Sequence, residues 1–402
     1  IYSWRGADLR NILDFENDYP DAKVILLEQN YRSTQTILTA ANRVIERNTQ
    51  RVPKTLFTKN TEGERAGVYA SYDEHDEARF IVSRASALVQ ASVEPSEIAV
   101  LYRANFQSRA LEQAFLEAGV AYQVVGTRFF ERKEIKDVLA YIRAALAVMP
   151  SHSAEGAESL QSQHAIAQWP WDSHFGGLER IINVPSRGIG KATLLKIFSG
   201  NMHKMTPALK TKVYNFVQLM LRLNTALQES TPSVAVKTVI RESGLEKMFK
   251  ESPIEEDAER LENIKELASL ALKYDQISDE EGKMRGIEEL LSDAALASDQ
   301  DSLINSRRAV KLMTVHAAKG LEFDHVFISG LEHGLFPHER SDEQTIAEEE
   351  EERRLFYVAL TRARVRVWLT YASVRTIFGS RQVNLPSAFF ADLDDDLLEP
   401  IE

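Results

Sequence analysis

The sequence predicts an α/β fold in which a parallel sheet is interrupted by a large all-helical insertion. Three observations carry this. Short β-rich runs alternate with helical patterns over roughly the first 128 residues, strand signals vanish between about 131 and 300, and they return after 309. Alternation of that kind is the pattern of a parallel sheet with covering helices.

Taken in order, KVILLE (23–28), GVYASY (67–72), EIAVLY (97–102) and AYQVVG (121–126) are strand-like. Helical spacing separates them at about 33–48, 74–90 and 105–118. DEHD (73–76) follows a strand run and reads as a helix start, its carboxylates favoured by the positive end of the helix dipole. The middle of the chain places apolar residues three and four apart in KEIKDVLAYIRAALA, KATLLKIF, a run near 206–228, SVAVKTVIRESG and AERLENIKELASLALKY. AVKLMTV (309–315), DHVFISG (324–330) and VRVWLTYA (365–372) then resume the sheet.

With 402 residues and 44% hydrophobic content, the chain can bury large cores and is expected to form two or three domains. No apolar run approaches the roughly 20 residues that cross a membrane, and no basic-then-apolar leader opens the chain, so a cytoplasmic protein without membrane partners is expected. The absence of cysteine excludes disulfides and thiolate zinc sites, and no metal site is expected. A net charge of −12 argues against a protein coated in basic surface, so any nucleic-acid contact must be local.

Three loops carry the chemistry. LEQNYRS (27–33) takes the chain from a strand into a helix, placing Tyr31 and Arg32 on the loop; open α/β sheets bind ligands at the carboxyl edge. VHAAKGLEFD (315–324) follows a second strand in the same manner, and TRAR (361–364) is the third. Together Arg32, Lys319, Gly320, Glu322 and Arg362 could face one polyanion. Each alone also reads as a surface ion pair, and Arg362 and Arg364 as basic residues that complement a helix's negative end.

IYSWRGA (1–7), LEQNYRS, TVHAAKGLEFD and FYVALTRAR (356–364) resemble, in order, motifs III to VI of the UvrD/PcrA/Rep-like superfamily 1 DNA helicases. LYRANFQSRALE (101–112), FFERKEIKDVLAY (129–141), INVPSRGIGKATL (182–194), ERLENIKEL (259–267) and NLPSAFF (384–390) extend the resemblance over nearly the whole chain. It implies that residues 27–128 and 305–395 form the second RecA-like domain (2A) and 129–304 its helical insertion (2B). Residues 1–26 would end the first RecA-like domain, and 396–402 would be an acidic tail.

The resemblance further implies the C-terminal portion of an ATP-dependent 3′-to-5′ helicase that steps along single-stranded DNA and unwinds duplexes in repair or replication restart. Arg362 would be the arginine finger on the γ-phosphate, with Arg32 as its partner in catalysis. Tyr31 would stack on adenine, and Glu322, beside Gly320, would contact the sugar. The implied DNA contacts are Tyr2, Trp4, Arg5, Thr314, His316 and Phe378, a set suited to stacking bases and holding phosphates. Core packing is the other reading of these residues, most of all for Phe378. Gly188, Gly190 and Lys191, opening a helix, would touch the duplex backbone, although a plain capping turn fits the same residues. Arg364, one residue into the following strand, is expected to point elsewhere.

A phosphate loop G-x-x-x-x-G-K-[ST] is missing: in PSRGIGKAT (185–193) alanine follows Gly190-Lys191 and Pro185 stands where the first glycine should. The family's phosphate loop and acidic box precede motif III, so the chain looks like a fragment. It is expected to hydrolyse no ATP alone and to hold neither ATP nor Mg2+ tightly. Its expected partners are single-stranded DNA, the single-strand/duplex junction, the missing N-terminal RecA-like domain and repair proteins. A non-catalytic DNA- or protein-binding module and part of a helicase-nuclease recombination protein are the alternatives. Residues 150–177 depart from the family pattern; a flexible loop anchored by Trp169 and Trp171 is expected, and the spacing of His152, His164 and His174 fits no compact metal site.

Overall fold

The computed structural model describes residues 11, 14–51, 54–147, 177–277, 286–300, 308–338, 345–377 and 380–401. The chain divides into two compact units. One comprises Ile1–Arg128, Leu303–Thr376 and Arg381–Glu402; the other comprises Phe129–Ser302 and Ile377–Ser380.

The first unit begins with two short strands, Gln29–Asn30 (β1) and Phe57–Thr58 (β2), which pair parallel to each other. Ala66–Ser71 (β3), Ile98–Tyr102 (β4), Tyr122–Val124 (β5), Val310–Thr314 (β6), Phe323–Ile328 (β7) and Ala363–Ala372 (β8) follow. After Val374–Ile377 (β9) and Ser380–Val383 (β10) comes Leu398–Pro400 (β11). Seven of these form one parallel sheet in the order β11-β3-β8-β7-β4-β6-β5.

Side chains alternate across a strand, so one run of sequence feeds two cores. Leu101, Val326, Ile328, Val367 and Leu369 face the Gln35–Glu46 and Ile346–Leu360 helices, with Ile37, Val44, Phe356 and Leu360 among their neighbours. Val100, Tyr102, Phe327 and Trp368 face the other way, toward Ile81, Val82, Leu111 and Phe115 of the Glu74–Gln90 and Ser108–Glu117 helices. Burial on both faces explains why β4 reads as an unbroken apolar run, buried at all five positions. Local chemistry sets the helix starts. Asp73 caps its helix by accepting from the amides of His75 and Asp76, and Thr345 and Glu348 form a reciprocal capping box.

Two expectations need correction. KVILLE (23–28) is not a strand: those residues carry no regular structure, and Ile25 and Leu27 are 69% and 79% exposed. The pairing begins only at Gln29, because a strand is made by partners, and the described residues supply one only from Phe57 onward. Residues 396–402 do not all form a tail either. Leu398–Pro400 joins the sheet parallel to Ala66–Val68, and the Ile401 amide donates to the Val68 carbonyl at 2.8 Å.

Between Phe129 and Ser302 the regular structure of the second unit's described residues is helical; its Ile377 and Ser380 belong to β9 and β10. The Lys133–Leu146, Pro207–Glu229, Pro232–Glu242 and Glu255–Ala271 helices pack their apolar stripes together around Val138, Ile142, Phe216, Met220, Val239 and Leu267. Pro207 and Pro232 both stand in the first helical turn, where their missing N–H costs nothing.

Candidate functional site

At the end of β1 the Asn30 carboxamide oxygen accepts from the amides of Arg32 (2.8 Å) and Ser33 (2.9 Å), which turns the chain into its helix. Asn60 donates to the carbonyls of Tyr31 and Ser33, and the buried Ser33 hydroxyl donates to the Ala363 carbonyl at 2.7 Å. The loop is thereby fixed against the start of β8, with the Tyr31 ring 78% exposed. Glu322 directly precedes β7 and Arg362 directly precedes β8; the two strands pair from Phe323 and Ala363 onward.

Arg32 donates through Nε to Glu322 Oε2 at 2.5 Å and through Nη1 to the Thr361 carbonyl at 3.2 Å. Arg362 donates to the Val358 carbonyl (3.1 Å), the Leu321 carbonyl (2.9 Å) and the Thr361 hydroxyl (3.3 Å). Gly320, two residues before Glu322, has φ +92° and open space where a side chain would begin, so the turn needs glycine for its backbone rather than for room.

The edge differs from the one expected. All seven strands run parallel, so Arg32, Glu322 and Arg362 gather at the amino ends of β7 and β8, not at the carboxyl edge. Residues 315–322 carry the chain from the carboxyl end of β6 back down to the amino end of β7, and this return is what brings Glu322 to the two arginines.

The electrostatics suit an anion. Burial, and then the neighbouring Arg32 charge, push the Arg362 guanidinium below its ordinary pKa. The hydrogen bond from Arg32 holds the Glu322 carboxyl below the usual carboxylate range. Two guanidiniums thus stand together with one shared neighbourhood of negative charge, and an added anion would relieve their repulsion. Phosphate oxygens fit these planar donors.

A family model described as the UvrD-like helicase C-terminal domain matches residues 25–155 and 172–374. The chain belongs to that family. The "ATP-dependent DNA helicase PcrA" of Bacillus subtilis (strain 168) is 41% identical over 429 aligned positions, covering 99% of this chain and 53% of the relative. Proteins of the same name from Staphylococcus epidermidis and Staphylococcus aureus are 38% identical over 420 positions, with the same coverage. The chain spans about half the length of the curated relatives it matches.

Of the residues expected on the DNA side of this UvrD-like domain, Thr314 and His316 are the ones described in the unit that holds the arginine cluster. Thr314 and His316 lie at the carboxyl end of β6, where the Thr314 hydroxyl accepts from the Ala317 amide at 3.3 Å. Gly188, Gly190 and Lys191 belong to the helical unit. Gly188 has φ +67°, and a Cβ there would sit 2.4 Å from Lys212 Nζ; Gly190 caps the Lys191–Phe198 helix without a side-chain bond. Tyr2, Trp4, Arg5 and Phe378 lie outside the described residues, as do Trp169, Trp171 and the three histidines of the atypical segment.

Burial, followed by the Arg103 charge, lowers His316 from 6.5 to about 4, against the raising effect of Glu352. The depressed folded-state value means the histidine's contribution to stability is whole above about pH 6.5 and is lost as pH falls through about 4. Urea melts between pH 7 and pH 4.5 should show His316→Asn losing less stability than the unaltered chain. Parallel losses would assign the acid sensitivity to another group.

Arg364 was not expected at the cluster, yet its Nη1 donates to Glu322 Oε1 at 3.3 Å. Its Nε donates to Asp324 at 2.8 Å and its Nη2 to Glu97. A sequence signal existed: Glu97, Glu322 and Asp324 each stand within a residue or two of a strand start, in a parallel sheet where such starts are neighbours.

Proposed function

We propose that this chain is the C-terminal portion of an ATP-dependent 3′-to-5′ DNA helicase, which couples ATP hydrolysis to movement on single-stranded DNA and to duplex unwinding in repair or replication restart. The observation that carries the reading is the fixed convergence of Arg32, Glu322 and Arg362 in a chain of the UvrD-like helicase C-terminal domain family. In this reading residues 27–128 and 305–395 are domain 2A, 129–304 are domain 2B, and 1–26 end a first RecA-like domain.

The triphosphate is the substrate, held chiefly by that first domain, and the accompanying Mg2+ is held there too. Arg362 presents N–H donors to the charge that develops on the transferred phosphoryl group. Arg32 adds a second guanidinium, Tyr31 offers its exposed ring to the adenine, and Glu322 accepts from the sugar. On the DNA side we assign Tyr2, Trp4, Arg5, Thr314, His316 and Phe378 to the single strand. Gly188, Gly190 and Lys191 are assigned to the duplex backbone at the junction. His316, neutral at physiological pH, acts there as a hydrogen-bonding group and not as a cation. Among the described residues no helix is long and apolar enough to cross a membrane, and we propose that the protein acts in the cytoplasm.

Assayed alone, the chain is expected to turn over no ATP, with or without single-stranded DNA, because it carries the finger without a phosphate loop. Its binding to single-stranded DNA should be weak and should fall as salt rises, since phosphate contacts release counterions. DNA-stimulated turnover by this chain alone would refute the division of labour, and nanomolar binding indifferent to salt would refute the assigned interface.

A further inference from the structure

We infer that Arg364 is a positioning residue: it shares the Glu322 carboxylate with Arg32, and so lets Arg32 turn from Glu322 toward the phosphates of a nucleoside triphosphate. The inference rests on the proposed placement of the triphosphate at the cluster.

Glu322 bridges two arginines, Oε2 to Arg32 at 2.5 Å and Oε1 to Arg364 at 3.3 Å. The two arginines are held differently. Arg364 lies in β8, and its other two partners, Asp324 and Glu97, sit at the starts of the neighbouring strands β7 and β4, so its guanidinium is tied down by the sheet. Burial works against the charge on Arg364, but the Asp324 bond and the three carboxylates around it outweigh burial and raise its pKa. Arg32 stands on a loop; among the described residues its side-chain hydrogen bonds go to Glu322 and one carbonyl.

Arg32 pairs with Glu322, and Arg364 pairs with Glu97, Glu322 and Asp324. If Arg32 swings to an incoming phosphate, Glu322 keeps a cationic partner in Arg364, and the exchange costs little. Without Arg364 the same swing strands the carboxylate beside an anionic ligand. Arg32 is then held back, and nucleotide affinity suffers before the chemical step does.

The test is steady-state ATPase kinetics on the full-length helicase with Arg364→Ala, Glu322→Gln and the double variant, each with a thermal melt. Arg364→Ala is expected to raise KM for ATP about tenfold, the scale of one charge-assisted hydrogen bond, with kcat changed far less. Arg364→Lys, which keeps charge but loses the fork, should lie between. In the Glu322→Gln background, Arg364→Ala should add little to KM, because the carboxylate through which it acts is gone.

An equal rise in both backgrounds would overturn the inference, since the effect would not pass through Glu322. A fall in kcat that tracks a lowered melting temperature would also overturn it, leaving Arg364 a structural tie. If Arg32→Ala cripples turnover while Arg364→Ala leaves KM unmoved, the inference fails and the site stands. If Arg32→Ala and Arg362→Ala are both silent, the site assignment itself falls and takes the inference with it.

Discussion

Replacing Arg362 with alanine in the full-length helicase is expected to cut ATP turnover by about 10³- to 10⁵-fold, roughly 4 to 7 kcal/mol of transition-state stabilisation, while ATP binding changes little. The expectation rests on the proposed finger role and on how the side chain is held. Three of the guanidinium's five N–H groups are engaged by the Val358 and Leu321 carbonyls and the Thr361 hydroxyl among the described residues. The remaining donors are therefore aimed by the scaffold before any substrate arrives, and aiming them costs nothing at the moment of reaction. Arg362→Lys should rescue little, because an ammonium cannot satisfy three scaffold acceptors and still present a planar fork. Steady-state turnover with a separate nucleotide-binding measurement decides the matter. Turnover near that of the unaltered enzyme would return Arg362 to the ordinary role of a basic residue near a helix end.

The second large effect concerns folding. Arg375 is buried with Glu77 and Glu332, donating to Glu77 Oε2 at 2.6 Å and to both oxygens of Glu332. Burial opposes its charge, yet the two carboxylates raise its pKa well above the ordinary value. The carboxylates also accept from the Gly330 and Ala372 amides, the Thr370 hydroxyl and the Asn384 carboxamide. Arg375→Ala would leave two carboxylates buried without their cation, a change of about 3 to 5 kcal/mol. Urea denaturation of this chain, with hydrogen exchange followed on the β3 and β8 amides, measures it. A loss below about 1 kcal/mol would mean that water or a rearranged side chain replaces the guanidinium, within the range of an exposed pair.

How much of this could be read in the sequence depends on the range of each interaction. β4 and β8 were legible because burial on two faces, or alternation along one strand, writes itself into consecutive residues. The helix start at Asp73 was legible because a cap acts over two or three positions. KVILLE misled because apolar β-rich residues say that a segment can pair and not which partner it has. The candidate residues Arg32, Glu322 and Arg362 were picked out through loops flanking strands, but their edge was assigned wrongly: nothing local says that 315–322 runs the height of the sheet. Arg364 escaped for the same reason, with partners 40, 42 and 267 positions away. The Arg375 pair with Glu77, 298 positions apart, leaves no trace in any window of sequence.

The parallel pairing of Leu398–Pro400 with β3 has a practical consequence. Those three residues cover the backbone groups of Ala66–Val68, which would otherwise form an open sheet margin able to recruit a second molecule. Anyone shortening this chain for crystallisation has to count the Ile401 amide among the bonds that hold β11 to β3. A cut placed before Leu398 is expected to bare that margin and favour self-association.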